Sequence, residues 1–282
     1  MPLDAPTLTI TAPGLYDDVP EADYHADPVA AEMGRSLSVS GAKKLLPPST
    51  PARFQWEREH GQPTRVAFDH GHAAHTLVLG VGKPFVTVEA DDWRTKAARE
   101  QADEARAQGA TPLLAKDAER VHAMVDALRA HELASAVLSN GKPEQSMFWL
   151  DERTGVCRRG RIDWLRPNAI VDYKTTTLGG ADPERFAKTA ADFGYHMQAA
   201  WYTDGCEALG LGRLPFVFVV QEKEPPYLVS VVQLDDEALR IGRDLNDGAL
   251  PIYAECESAG EWPGYPTEVV TVALPSWYAR KH

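Results

Sequence analysis

Apolar residues recur every three or four positions in several stretches of the chain, and this spacing predicts helices. The pattern is clearest in residues 117–138, where Val121, Met124, Val125 and Leu128 follow the helical period. Shorter helices are predicted at 38–47, 51–60, 66–80 and 92–108. We therefore expect the N-terminal half of the chain to be mainly helical.

Residues that favour helix ends support these boundaries. Ser40 is a candidate N-cap and Pro47 a stop for the helix at 38–47, and Gly80 suits the C-cap of the helix at 66–80. Asp182 followed by Pro183 predicts the start of another helix, which we expect to run to about residue 209. A last helix is expected to begin near residue 235 or 236.

Short runs of β-branched and aromatic residues predict the strands. Strands are expected at 84–88, 145–150, 156–163, 169–175, 214–221 and 227–234. Pro167 and Asn168 separate two of these runs and predict a β-hairpin, and Glu224-Pro225-Pro226 predicts a second reversal. Residues 1–20 are expected to be extended, and residues 110–117 to form a break.

The predicted order is helix, three strands, helix, two strands and helix. It indicates an α/β fold in which helices flank both sides of a mixed sheet. Because no interior segment has the composition of a linker, we expect one domain over residues 1–282. Within it, residues 66–221 form the expected core, with elaborations at 1–65 and 222–282.

Composition narrows the class of protein. Of the 282 residues, 44% are hydrophobic and 25% are charged, which is typical of a soluble globular chain. No stretch reaches the roughly 18 apolar residues that span a bilayer, and the N-terminus lacks the pattern of a secretory signal, so a cytoplasmic location is expected. The three cysteines are far apart, which argues against a disulfide framework, a zinc site or a four-cysteine iron–sulfur cluster.

The net charge of −12 argues against a general nucleic-acid coat protein, since phosphate binding requires cationic surface. It does not exclude a local basic site. The candidate DNA-binding residues form two clusters, Arg94 with Lys96, and Arg158, Arg159 and Arg161 near Arg153. The alternative is that these side chains are simply solvated surface.

The most informative chemistry lies in the predicted hairpin, residues 160–176. Asp163 and Asp172 are nine positions apart, and Lys174 follows two positions after the second aspartate. Side chains at i and i+2 share one face of a strand, so Asp172 and Lys174 should point the same way. Two carboxylates beside a lysine suit a hard cation and a polarised water. The alternative is a surface salt bridge, which is common and contributes little stability.

Four further residues are candidates for the same site. His75 and Glu144 could bind the cation, and Gln198 could orient the attacking water or a phosphate oxygen. Tyr202 follows Gln198 by four positions and should share its helical face. Each of these residues has an ordinary structural alternative, as a buried histidine, a solvated glutamate or a packing pair on a helix.

Phosphodiester hydrolysis requires residues of these types. Negative charge grows on the phosphate oxygens in the transition state, and one or two Mg²⁺ ions can bridge the water, the phosphate and the leaving oxygen. Aspartates anchor Mg²⁺, a histidine ligand extends tolerance to Mn²⁺, and Lys174 would stabilise the developing charge.

Several motifs carry a resemblance to a known family. The chain resembles the PD-(D/E)XK nuclease superfamily and, within it, the RecE-like exodeoxyribonucleases (the exonuclease VIII-like group). The similar segments are YDDVPEADYHADP (16–28), SLSVSGAKKLL (36–46), TPARF (50–54), FDHGHAAHTLVLG (68–80), WRTKAARE (93–100), EQSMFWLDERTGVCRRGRIDWL (144–165), IVDYKTT (170–176) and HMQAAWY (196–202). The histidine motif assigns the metal ligand to His75 rather than His70 or His72.

The resemblance implies an αβββαβ core and Mg²⁺-dependent hydrolysis of DNA from its ends. It further implies 5′ to 3′ polarity on duplex DNA, single-stranded overhangs for recombination, a ring-shaped homo-oligomer and a single-strand-annealing recombinase as partner. A phage-encoded enzyme would fit this description. His75, Asp163, Asp172 and Lys174 carry the site roles, with Gln198, Tyr202 and Glu144 as additional members.

Two alternatives stay open at this point. The same core could serve an endonuclease or a structure-specific nuclease, because these enzymes share the cleavage step. The chain could also be a DNA-end-binding protein without catalysis, although the intact pair of aspartates with Lys174 argues against this.

Overall fold

A computed structural model describes residues 8–61, 69–82, 84–274 and 276–279 of the chain. The N-terminal part contains β1 (Gly14–Tyr16), α1 (Glu21–His25), a 3₁₀ turn (Ala31–Met33), β2 (Ser36–Ser38), α2 (Val39–Leu45), α3 (Pro51–His60) and α4 (Asp69–Leu79). There follow β3 (Phe85–Val88), α5 (Lys96–Ala107), β4 (Thr111–Leu114), α6 (Ala115–Ala130) and α7 (Glu132–Val137). The remainder contains β5 (Lys142–Leu150), β6 (Cys157–Arg166), β7 (Ala169–Thr176), α8 (Pro183–Asp192), α9 (Tyr195–Ala208), β8 (Phe216–Glu222), β9 (Val229–Val232), α10 (Asp236–Ala259) and α11 (Ser276–Ala279).

Seven strands form a central mixed sheet in the order β1-β5-β6-β7-β8-β9, with β2 beside β6. The hairpin pair β6–β7 is antiparallel, while β7–β8 and β2–β6 are parallel. Strands β3 and β4 form a separate parallel pair. The parallel β7–β8 pairing requires a crossover, and helices α8 and α9 supply it.

Helices cover both faces of the sheet. On one face, α2, α8, α9 and α10 pack against Ile162, Ile170 and Phe218 of the central strands. On the other face, α4, α6 and α7 pack against Val171, Tyr173 and their neighbours on β8. Strand β8 is buried along its whole length, as expected for a central strand covered on both sides. The predicted α/β class, a mixed sheet flanked by helices, is therefore confirmed.

Most predicted elements are present, including the hairpin around Pro167 and Asn168 and the helix at 51–60. The helix expected at 66–80 is described from Asp69 onward and ends before Gly80, whose φ of 72° suits a left-handed C-cap. Its predicted first residues lie outside the described part of the chain. The division into one domain with two elaborations stays a prediction.

Four details of the predicted elements were wrong. The N-cap of α2 is Ser38, whose hydroxyl accepts a hydrogen bond from the Gly41 amide, and Ser40 lies inside the helix. The expected break at 110–117 contains strand β4, because its residues pair with β3. The helix predicted at 117–138 is divided at His131, whose ring caps α7 by accepting from the Ala134 amide.

The fourth correction concerns the segment from Pro183 to Leu209, which forms two helices. Gly194 adopts a left-handed backbone with φ of 64° between α8 and α9. A glycine accepts this conformation without steric cost, and it separates the two helices. Helix α9 carries Tyr195 and Gln198, which lie beside β7, as described below. Among the described residues, no helix combines the length and apolar character required to cross a bilayer.

Candidate metal-binding active site

The site lies on the edge of β6 where strands β2 and β7 separate. One edge of β6 pairs with β2 at Cys157–Arg159 and with β7 only at Trp164–Arg166. Residues 160–163 between these two pairings have no strand partner on that edge. The gap opens into a cleft of about 2300 Å³, which His75, Glu144, Asp163 and Lys174 line together.

The regular alternation of side chains along β6 breaks at Asp163. Ile162 and Leu165 are three positions apart yet belong to the same apolar cluster, whereas Trp164 packs against the cluster on the opposite face. The neighbouring pairs of the β5–β6 register place Glu144 opposite Asp163, and Glu144 has a φ of 50°, which is uncommon outside glycine. Such local distortion is typical of functional sites.

Three side chains gather at this distortion. Nε2 of His75 lies 2.9 Å from Oδ2 of Asp163, and Nδ1 of His75 lies 3.6 Å from Oε1 of Glu144. The backbone amide of Tyr173 donates to the same Asp163 oxygen at 2.9 Å. Helix α4 thus supplies the imidazole, while β5 and β6 supply the carboxylates.

The pKa shifts of His75, Glu144 and Asp163 reflect two carboxylates that lie close together. Burial opposes the imidazolium form of His75, but Asp163 and Glu144 outweigh burial and raise the pKa of His75 to about 9. Burial and the Asp163 carboxylate raise the pKa of Glu144. For Asp163, burial acts against ionisation, and the opposing effect of His75 lowers its pKa. Two carboxylates placed this close are stabilised when a cation lies between them.

The donor atoms fit a divalent cation. One ligand atom from each of His75, Glu144 and Asp163 lies within 4.8 Å of the other two. Carboxylate oxygens suit Mg²⁺, and an imidazole nitrogen also suits Mn²⁺. The structure thus places His75 beside Glu144 and Asp163, two of the other candidate ligands. The side chains of His70 and His72 lie outside the described residues.

Asp172 and Lys174 form the second part of the site. Nζ of Lys174 lies 2.7 Å from Oδ2 of Asp172, as expected for two side chains on the same strand face. Burial and Asp163 raise the pKa of Asp172, although Lys174 opposes the effect. Burial would lower the pKa of Lys174, but the Asp172 carboxylate outweighs it and raises that pKa. The Asp172 carboxylate therefore favours the protonated form of Lys174.

Helix α9 contributes to the site through two residues. Nε2 of Gln198 donates to Oδ1 of Asp172 at 2.6 Å. The hydroxyl of Tyr202 accepts from the Arg161 amide at 3.4 Å, within the unpaired edge of β6. A Cβ at Gly160 would lie 2.8 Å from the Tyr202 ring, so this approach of helix and strand requires glycine.

Of the predicted basic residues, Arg159 and Arg161 line the cleft, where both bind the N-terminal segment, and the other three do not line it. Arg159 binds Asp27 at 2.8 Å, and Arg161 donates to the Val19 carbonyl at 2.7 Å, so both hold the N-terminal segment against β6. The guanidinium of Arg158 is buried away from the cleft, 3.9 Å from the ring centre of Trp201. The side chains of Arg94 and Lys96 are 90% and 89% exposed and do not line the cleft.

Two residues that the sequence analysis did not select also lie near the site. The ring of Tyr195 is 5.0 Å from Nζ of Lys174 and 5.8 Å from Nζ of Lys43. Tyr195 precedes Gln198 by three positions, a helical spacing that could have identified it. Lys43 lies in the SGAKKLL segment, where nothing in the local pattern distinguishes it from its neighbour Lys44.

Comparisons with known proteins agree with this architecture. Residues 38–272 match the family described as a PDDEXK-like domain of unknown function (DUF3799). A presumed exonuclease from Eubacterium rectale has a similar structure, with a TM-score of 0.62 at 14% identity over 94% of this chain and 98% of that chain. A phage-related exonuclease from Haemophilus somnus 129PT matches 80% of this chain and 96% of its own, with 15% identity and a TM-score of only 0.33. A search of curated sequences gave no significant match.

Proposed function

Because the chain belongs to the family of PDDEXK-like domains (DUF3799), we propose that it is a metal-dependent DNA exonuclease. It would hydrolyse phosphodiester bonds from the ends of linear duplex DNA. The fold is a nuclease-like one, and the Eubacterium rectale protein of similar structure is described as a presumed exonuclease. The proposed polarity is 5′ to 3′, and the proposed product is a single-stranded overhang for recombination.

One observation supports the proposal above all others. The His75–Glu144–Asp163 group lies beside the Asp172–Lys174 pair, and His75, Glu144, Asp163 and Lys174 line one cleft. The Tyr173 amide connects them, because it belongs to the residue between Asp172 and Lys174 and donates to Asp163. A structural salt bridge would not require three more ionisable groups at its side.

Each residue has a role that follows from its position. His75, Glu144 and Asp163 would hold a divalent cation, with Asp172 beside them. When bound, the cation supplies a polarised water and neutralises charge on the scissile phosphate. Lys174 carries a positive charge that Asp172 fixes in place, so its ammonium group is suited to stabilise negative charge developing on a phosphate oxygen. Gln198 restricts the orientation of Asp172.

The experiment that tests the proposal compares DNA topologies. Linear duplex labelled at either the 5′ or the 3′ end is incubated with the protein and Mg²⁺, alongside a covalently closed circle of the same sequence. We expect loss of the 5′ label first and an untouched circle. Cutting of the circle would favour an endonuclease and overturn the exonuclease proposal. Binding to ends without release of nucleotides would favour a DNA-end-binding protein.

Two parts of the proposal concern partners. The enzyme would act with a single-strand-annealing recombinase that takes up the overhang, and it would assemble as a ring-shaped homo-oligomer. Light scattering coupled to size-exclusion chromatography measures the assembly directly. A monomer at every concentration at which the protein is active would contradict the ring.

A further inference from the structure

Helix α9 and the turn before it carry a ladder of aromatic rings from the core to the surface. The buried ring of Phe218 stacks on Tyr195, with ring centres 5.8 Å apart and planes at 29°. Tyr195 in turn stacks on Phe193 at 6.0 Å and 23°. Phe193 is 64% exposed, so the ladder ends in an aromatic ring whose outer side faces solvent.

This exposed ring is held in a defined position. Phe193 occupies the turn between α8 and α9, and Nζ of Lys43 on α2 donates to its carbonyl oxygen at 2.9 Å. The left-handed Gly194 follows directly. The hydrogen bond from the Lys43 side chain restrains the backbone of Phe193, and stacking on Tyr195 restrains its ring. An aromatic residue on an unrestrained loop would lose more entropy on binding a ligand.

Positive charge accumulates beside the same ladder. The ring of Tyr195 lies within 5.0 Å of Nζ of Lys174 and within 5.8 Å of Nζ of Lys43. Lys174 is paired with Asp172, but among the described residues no carboxylate lies within ion-pair distance of Lys43. Burial and the charge of Lys174 lower the pKa of Lys43 to about 8, although the Asp172 carboxylate opposes the effect. An anion placed here would relieve the repulsion between the two ammonium groups.

We propose that Lys43 and Phe193, supported by Tyr195, form a nucleotide-binding subsite adjoining the catalytic lysine. A base of the DNA strand stacks on the exposed ring of Phe193, and a phosphate next to the scissile one binds Lys43. The inference rests on the proposed function. A flat aromatic surface beside a cation that forms no ion pair with a carboxylate is a combination that binds single-stranded nucleic acid, because every base offers a π face and every linkage a negative charge.

The first test measures binding without cleavage, in EDTA, using a fluorescent linear duplex that carries a short single-stranded end. We expect Phe193→Ala to weaken binding about tenfold, within the range of roughly 1–3 kcal/mol for stacking on one base. Phe193→Trp should retain affinity and show additional fluorescence quenching on binding. Leu133→Ala is the control, because Leu133 is an exposed apolar residue on α7 that does not line the cleft.

The second test removes the base instead of the ring. DNA with abasic positions in the single-stranded end should bind the wild-type protein about as weakly as intact DNA binds Phe193→Ala. Abasic DNA should bind Phe193→Ala only slightly more weakly than it binds the wild-type protein, since each change removes the same stacked pair. Additive losses, or wild-type affinity in Phe193→Ala, would overturn the subsite.

The third test concerns Lys43. Lys43→Ala should weaken binding and reduce the slope of log affinity against log salt by about 1, while Lys43→Arg should preserve that slope. An unchanged slope in Lys43→Ala would overturn its assignment to phosphate. Because all three tests measure binding, they are independent of catalysis. A wild-type protein that binds as expected but cleaves no DNA would refute the exonuclease and leave the subsite supported.

Discussion

Gln198 donates a 2.6 Å hydrogen bond to Asp172, and the other oxygen of this buried carboxylate lies 2.7 Å from Lys174. Helix α9 therefore fixes the ion pair that β7 presents to the cleft. Without Gln198 the Asp172 side chain could rotate, and its carboxylate would then move away from Lys174. The helix reaches β7 because the chain turns at Gly194.

We expect Gln198→Ala to reduce nuclease activity by about 10–100-fold, the usual effect of removing a residue that orients a metal-site carboxylate. The protein should stay folded, since the change removes a single side-chain contact. Steady-state rates measured over a range of Mg²⁺ concentrations check this expectation. Gln101→Ala, at an exposed position on α5, is the matched control. Equal rates for the two variants would contradict a positioning role for Gln198.

We expect Lys174→Ala to lower the cleavage rate by at least about 10²–10³-fold, because it removes a preorganised positive charge from the reacting phosphate. It should also lower thermal stability, since Asp172 is then left buried without its cation. The double variant Asp172→Ala/Lys174→Ala should recover part of that stability while remaining inactive.

Thermal melts and digestion of linear duplex measure both effects of the Lys174 substitution. Lys223→Ala serves as a control, because Lys223 lines the same cleft but lies outside the acidic group. Wild-type cleavage by Lys174→Ala or Asp172→Ala would show that the site assignment is wrong.

Metal removal should abolish activity and lower stability together. We expect EDTA to stop cleavage, and Mg²⁺ or Mn²⁺ to restore it and to raise the melting temperature, since ligands that bind the folded state stabilise it. His75→Ala and Glu144→Ala should reduce the stabilisation by Mn²⁺. Calorimetric titration of the three proteins provides a readout other than activity. Restoration by Zn²⁺ alone would indicate a different chemistry.

Two glycines of α10 should respond in opposite directions to the same substitution. A Cβ at Gly242 would overlap the carbonyl oxygen of His196 on α9, whereas a Cβ at Gly248 would meet no atom within 4 Å. We expect Gly242→Ala to destabilise the protein by about 1–3 kcal/mol through forced separation of the helices. Gly248→Ala should stabilise it by up to about 1 kcal/mol, the helix propensity of alanine over glycine. Denaturant unfolding curves decide between these outcomes.

We expect Arg158 to contribute to the stability of the fold and not to DNA binding. Its guanidinium lies 4.9 and 3.9 Å from the ring centres of Trp149 and Trp201, and 3.7 Å from Asp151. We expect Arg158→Met to lower the melting temperature and to leave the salt dependence of DNA binding unchanged. The comparison with Lys43→Ala is informative, because only a side chain that contacts a DNA phosphate should alter the slope. A lower slope for Arg158→Met would return Arg158 to the DNA-contact set.

The sequence by itself determined the parts of the site that depend on local spacing. The two positions between Asp172 and Lys174 place both side chains on one strand face, and the 2.7 Å contact follows from that period. The turn at Pro167 and Asn168 likewise determined the hairpin. Apolar periodicity predicted that the helices exist. It did not identify the N-cap of α2, which is Ser38 rather than Ser40, because capping depends on a single hydrogen bond.

Only the tertiary structure decided which distant residues meet. His75 and Asp163 are far apart in the chain, and their 2.9 Å contact depends on how α4 packs on the sheet and where β6 loses its partner. The sequence also could not show that Arg159 forms an ion pair with a carboxylate and that Lys43 forms none within the described part of the chain. Arg159 pairs with Asp27 of the N-terminal segment, whereas Lys43 lies beside Tyr195. Charge is a property of the residue, but its availability depends on which neighbours the fold brings within a few ångströms.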